Sequence, residues 1–133
     1  MKKGFKNNIE ELARENTNFR KVLYTAQGCQ LVLMSLKPNE EIGLETHTDV
    51  DQFFRFESGV GKVIIDEVEH VVADGDAVIV PRGAKHNVIN ASQTNMLKLY
   101  TIYSPPHHKD GIVRATHAEA ETDSPEFDGQ TTE

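Results

Sequence analysis

The 133 residues contain one cysteine, Cys29, and no tryptophan. A lone thiol excludes an intrachain disulfide, which fits a reducing cytoplasm. Without Trp, the core has to be built from Phe, Val, Ile and Leu. No stretch approaches the roughly 18 apolar residues of a membrane span. No apolar run follows the basic segment Met1–Asn8, so no signal peptide is expected. Basic residues are in deficit too, with 14 Lys and Arg against 21 Asp and Glu and a net charge of −7. An acidic surface repels phosphate backbones, so nucleic acid is not an expected partner. These absences leave a soluble, cytoplasmic globular protein with no membrane partner. Its length suits one domain, and 38% hydrophobic residues suffice for one core.

The segment 9–15 places Ile9, Leu12 and Ala13 at helical spacing behind Asn8, a candidate cap, and predicts a short helix. From Phe19 onward, short β-prone runs alternate with turn residues. The runs are Phe19–Thr25, Gln30–Leu36, Gln52–Glu57, Gly61–Asp66, Val68–Val72, Ala77–Val80, His86–Asn90 and Met96–Tyr103. Many short strands with Gly and Pro punctuation predict an all-β sandwich or barrel. The strand pattern stops at Ser104-Pro105-Pro106. A capping box from Thr116 to Glu119 then predicts a second short helix. The tail Glu119–Glu133 carries six carboxylates and is expected to be mobile or held only through Phe127. The chain thus divides into an extension over 1–18, a barrel over 19–104, and a C-terminal extension with an acidic tail over 105–133.

Two stretches carry chemistry. One is Glu45-Thr46-His47 followed by Gln52-Phe53-Phe54-Arg55-Phe56; the other runs from Gly75 to Asn90 and contains Pro81, Gly83 and His86. Side chains alternate faces along a strand, so Glu45 and His47 point the same way and can chelate one ion. Gln52 opens the next strand, with Phe54 and Phe56 on its face, ready to fill the interior beneath a polar site. His86 follows a turn built on Pro81 and Gly83. Imidazole together with carboxylate suits Zn, Mn, Fe or Ni better than Ca or Mg, and Gln is a weak carbonyl ligand. By the same alternation, Ile42 and Leu44 fall on the opposite face and call for cover from another element or a partner subunit.

The second stretch resembles the second motif of the cupin family, Gly-x5-Pro-x-Gly-x2-His-x3-Asn, at Gly75, Pro81, Gly83, His86 and Asn90. The first resembles that family's first motif, with His47 at the second histidine position and Gly59 closing it. Glu45 replaces the first histidine, Gln52 replaces the glutamate, and the leading glycine is displaced, with Gly43 nearest. The resemblance implies a double-stranded β-helix of the RmlC-like jelly-roll kind. It further implies one divalent transition metal inside on Glu45, His47, Gln52 and His86, a small-molecule ligand, and a homodimer. Mannose-6-phosphate isomerases are similar at ligand level, with Gln and Glu exchanged, so an isomerase acting on a sugar or sugar phosphate is one expectation. A metal-dependent dioxygenase and a non-catalytic binding or sensor cupin are the alternatives.

Other residues fit less decisively. Lys98 interrupts the strand Met96–Tyr103 and is a candidate for binding a phosphate or carboxylate if it projects inward; it is otherwise an outer-face residue. Tyr100 and Tyr103 are candidate hydrogen-bond donors to a ligand, though strand tyrosines usually pack. Arg55 has the parity opposite to Gln52 and should point away from the metal. Arg82 and Lys85 read as surface charges, His107 and His108 as an exposed loop pair, His70 and His117 as surface residues, and Cys29 as a small buried hydrophobe. None of them supplies an evident catalytic base.

Overall fold

The helix over 9–15 forms as α1, Ile9–Glu15, with Asn8 Oδ1 accepting from the Glu11 amide at 2.9 Å. The computed structural model describes residues 1–133. All eight expected strand segments are present, each end within one residue of its expected place: β1 Arg20–Thr25, β2 Gln30–Leu36, β4 Asp51–Ser58, β5 Val60–Ile65, β6 Val68–Ala73, β7 Ala77–Val80, β8 Lys85–Asn90 and β9 Leu97–Ser104. The short pair Glu45–Thr46 forms β3. Val113–Arg114 adds β10, which the sequence pattern does not announce because two residues carry no periodicity. The capping box opens α2, His117–Thr122: Thr116 Oγ1 accepts from the Glu119 amide, and Glu119 Oε2 accepts from the Ala115 amide at 2.8 Å.

The strands make two antiparallel sheets, one in the order β10-β1-β2-β9-β4-β7 and one in the order β3-β8-β5-β6. Their inner faces enclose the core, giving the jelly-roll barrel. α1 lies over β2 and β9, and the Lys98 ammonium donates to the Asn16 carbonyl just past the helix. Leu33, on the outer face of β2, is thereby 2% exposed.

Register sorts the interior into layers. Leu36 pairs with Leu97, and Met34 with Leu99, which pairs with Phe56. Val32, Thr101 and Phe54 form the next row, and Gln30, Tyr103 and Gln52 the last. One end of the barrel is therefore apolar and the other polar. On the facing sheet, Gly61 opposes Asn90, Val63 opposes Val88, and His86 sits between Ile65 and Glu45. Burying Phe54 and Phe56 almost completely contributes about 3 kcal/mol each by area alone.

The tail is held at several points, not through Phe127 alone. The Phe127 amide donates to the His107 carbonyl, the Lys109 amide to the Pro125 carbonyl, and the Thr132 amide to the Thr25 carbonyl. Glu133 accepts from the amides of Lys3 and Gly4 and from the Tyr24 hydroxyl. Cys29 is exposed in the β1–β2 turn rather than buried.

Candidate metal centre

Glu45 and His86 are direct cross-strand partners in the β3–β8 pair. His47 follows two residues after Glu45. The Gly83 amide in the Pro81–Gly83 turn donates to the His47 carbonyl at 2.6 Å. That turn is in turn tied to the loop after His47, because Asp51 accepts from the Arg82 amide and pairs with its guanidinium at 3.0 Å. Arg82 thus clamps two loops together, and the hydrogen bonds from its guanidinium and its backbone amide, with a smaller contribution from its charge, hold the Asp51 carboxyl below its ordinary range. The two motifs, far apart in the chain, meet through this turn.

One ligand atom each from Glu45, His47 and His86 lies within 4.8 Å of the others. Ligand atoms about 2.1 Å from a common ion stand roughly 3–4 Å apart, so a shared divalent cation requires the three to draw together by no more than about 1 Å. Orientation agrees. His86 Nδ1 lies 3.1 Å from the Ala84 carbonyl, which can only accept, so Nδ1 carries the proton and Nε2 offers its lone pair. His47 Nε2 approaches Glu45 Oε2 at 3.0 Å but outside hydrogen-bond alignment, leaving a buried nitrogen without a partner. Burial pushes His86 below its ordinary value, toward the neutral form that binds metals. Burial also raises the Glu45 carboxyl, but His47, Arg20 and His86 together outweigh it, and it ends below the usual range.

Gln52 lies on the same inner face, beside Tyr103. Its Nε2 donates to Thr101 Oγ1 at 3.0 Å, and that hydroxyl donates to the Phe53 carbonyl at 2.8 Å. The amide orientation is therefore set, and Gln52 Oε1 is left buried with no partner. A carboxylate, two imidazoles and an orphaned amide oxygen together fit a divalent transition metal. Phe54 lies against the His86 ring, with centroids 6.4 Å apart, as the aromatic floor expected from the sequence.

His107 and His108 are not an exposed pair. His108 is 5% exposed, and the His107 ring packs edge-on to His47 with centroids 4.4 Å apart. Gln30, fully buried, pins both: its Oε1 accepts from both histidine amides, and its Nε2 donates to the His108 carbonyl at 2.7 Å. Burial lowers both imidazoles, His108 to about 2. Tyr103 joins His47, His107 and His108 in one aromatic cluster, and burial drives its phenol upward. A cavity of about 520 Å³ opens at this point, lined by Thr46, His47, Thr48, Asp49, His107 and Phe127 among others.

Lys98 and Tyr100 do not reach this interior. Both alternate with Leu99, Thr101 and Tyr103 on β9 and so face outward; Tyr100 packs near Phe53 and Lys98 near Asn16. Arg55 also faces outward, paired with Glu57 at 3.0 Å. Ile42 and Leu44 do not share a face. Gly43, at φ +110°, breaks the alternation, turning Ile42 against the core while Leu44 stays 60% exposed. His117 stacks on Phe19, and His70 is exposed. Arg20 is the residue that sequence reasoning passed over: it is inward-facing on β1 and 6% exposed. Its alternation with Val22 was the available signal.

A cupin domain family model matches residues 32–103. The chain is 45% identical over 124 residues to the protein YrkC of Bacillus subtilis, covering 89% of this chain and 66% of that protein. It is 43% identical over 109 residues to the protein L612 of Acanthamoeba polyphaga mimivirus, covering 80% of this chain and 68% of that one. The chain thus spans about two-thirds of the length of these relatives. Among solved structures, BH2720 of Bacillus halodurans superimposes with a TM-score of 0.89 at 39% identity, covering 91% of this chain and 96% of that one. KdgF of a Halomonas species shares the fold, with a TM-score of 0.60 at 17% identity, covering 65% of this chain and 76% of that one.

Proposed function

Because this chain belongs to the cupin domain family, we propose that it holds one divalent transition metal (Zn, Mn, Fe or Ni) and acts on a small polar molecule. The observation that carries this is the convergence of Glu45, His47 and His86 on one point of the barrel interior. Gln52 is the fourth ligand in this reading, supported by its buried, unpartnered Oε1. A bound divalent ion would polarise a substrate carbonyl or hydroxyl oxygen. His107, beside His47 at the cavity and biased toward its neutral form by burial, is the group placed to take a proton from a ligand.

The finer expectation is an isomerase acting on a sugar or sugar phosphate. Elemental analysis of the purified protein tests the metal. Conversion of mannose 6-phosphate to fructose 6-phosphate by the metal-loaded protein tests the narrow reaction, and oxygen uptake tests the dioxygenase alternative. Protein that takes up no stoichiometric metal would end the whole reading. A cytoplasmic location belongs to it as well, and an exposed free thiol at Cys29 suits a reducing compartment.

A homodimer is part of the same proposal. Leu31, Ile102, Phe53 and Ile79 are cross-strand neighbours forming one apolar row over the outer face of the larger sheet, and Ile79 is 66% exposed on the edge strand β7. A second copy laid against this row would cover it by a two-fold axis. Light scattering should give twice the chain mass, and Ile79→Lys should give the single mass.

A further inference from the structure

Arg20 is the least explained charge in the molecule. It projects inward from β1 and is 6% exposed. Charged side chains so deep are rare unless paired, because burying an uncompensated ion costs several kcal/mol or more. Yet no carboxylate lies within ion-pair distance of its guanidinium: Glu45 is with His47 at 3.0 Å, and Glu121 with His117 at 3.2 Å. Nη1 donates to Ser124 Oγ at 3.3 Å, Nε is buried with no acceptor at all, and the guanidinium carbon stands 5.4 Å from the Phe19 ring centre. A metal on Glu45 would engage that carboxylate further and leave Arg20 still without a counter-ion.

The space beside Arg20 is small and adjoins the metal ligands. A cavity of about 200 Å³ is lined by Arg20, Glu45, Ile42, Phe19, Glu121 and Ser124, among others. Glu45 is thus shared between this cavity and the metal cluster. We infer that Arg20 is the anchor for the carboxylate of a small monocarboxylic acid whose oxygen-bearing end reaches the metal centre. The charge balance selects a monoanion. With a divalent ion on Glu45, the ion and the guanidinium carry three positive charges against the two negative charges of Glu45 and Glu121, so a singly charged group neutralises the site and a phosphate dianion overshoots it. The guanidinium's planar edge matches a carboxylate's two oxygens. The class is then a hydroxy or keto acid, or a sugar acid, in place of a sugar phosphate. This rests on the metal reading above and names the ligand of that same centre.

The test uses the full-length, zinc-loaded protein and calorimetric titration with lactate and gluconate, alongside their neutral counterparts 1,2-propanediol and sorbitol, and inorganic phosphate. At least one acid should bind about tenfold or more tightly than its neutral counterpart and than phosphate, a difference of one charge-assisted contact. Arg20→Gln should weaken that acid about 10- to 100-fold, and Arg20→Lys less, with zinc content unchanged. If neither acid binds, if the neutral counterparts or phosphate bind equally well, or if Arg20→Gln leaves the affinity unaltered, the assignment is wrong. Circular dichroism reports whether a variant folds, and the comparison of probes on the unaltered protein decides the matter if one does not. Protein that retains no zinc in any form would instead overturn the metal reading, so the two failures are distinct.

Discussion

Glu45 and His86 face each other as the paired residues of a two-residue antiparallel strand and its neighbour. A carboxylate on one strand and an imidazole on the other are thereby brought together by backbone register, with no loop rearrangement. Rigid placement on paired strands is what a metal centre needs. It follows that removing a ligand should cost the ion and not the fold. His86→Ala should lose more than about tenfold in metal affinity, since even changes beyond the ligands themselves cost that much. Elemental analysis after dialysis checks the metal, and an unchanged far-ultraviolet dichroism spectrum checks the barrel.

Thr101 should matter more than its modest chemistry suggests. Its hydroxyl links the Gln52 amide to the Phe53 carbonyl. Thr101→Val keeps the volume but leaves the buried Gln52 amide nitrogen without its partner, at a cost of about 1–3 kcal/mol. Urea unfolding should show that loss. Metal affinity should fall as well, because the Gln52 carbonyl is no longer aimed; an unchanged affinity would remove Gln52 from the ligand set.

Acid should destabilise the barrel through His108. Burial holds its folded-state value down to about 2, far below the ordinary value of 6.5. The unfolded chain therefore binds a proton that the folded one refuses. The resulting stability is present in full above the unfolded value and is lost as pH falls below it, by up to about 1.4 kcal/mol per pH unit. Urea midpoints between pH 7.5 and 5 should decline accordingly, and His108→Gln should flatten the decline. Glu45 acts with the same sign but in a lower window, beneath its ordinary value of 4.5.

Lys98 and Tyr100 offer a control. Both lie on the outer face of β9. Lys98→Ala and Tyr100→Phe should leave metal content and acid binding within a factor of two of the parent, as for surface changes in general, within about 0.5 kcal/mol. A large drop in acid affinity on changing Lys98 would mean that the anion site lies on the other face of the sheet.

Gly59, which closes the first motif, tests the backbone itself. It adopts φ +102°, and a Cβ there would stand 2.5 Å from the Met96 carbonyl oxygen. Gly59→Ala combines strain and overlap and should cost about 2–4 kcal/mol. Thermal unfolding would register it as a drop of many degrees, whereas Gly75→Ala, with open space around its Cβ position, should pay for backbone strain alone.

Much of this protein was legible one residue at a time. Alternation of apolar side chains marked eight strands, Asn8 and Thr116 marked both helix starts, and the spacing of Gly75, Pro81, Gly83, His86 and Asn90 marked the turn and strand that carry His86. These are local signals, set by backbone geometry and by which face each side chain must take. Asn90 shows the limit of that reading, because its amide holds the carbonyls of Leu36, Lys37 and Asn95 at the far end of the barrel, and no spacing rule states this. Only tertiary structure could decide that Gln30 fastens His107 and His108 beside His47, that Gly43 turns Ile42 inward, and that Arg20 is buried without a paired counter-charge. Each depends on what packs opposite, and a side chain's burial and partners are properties of the closed barrel, absent from any single strand.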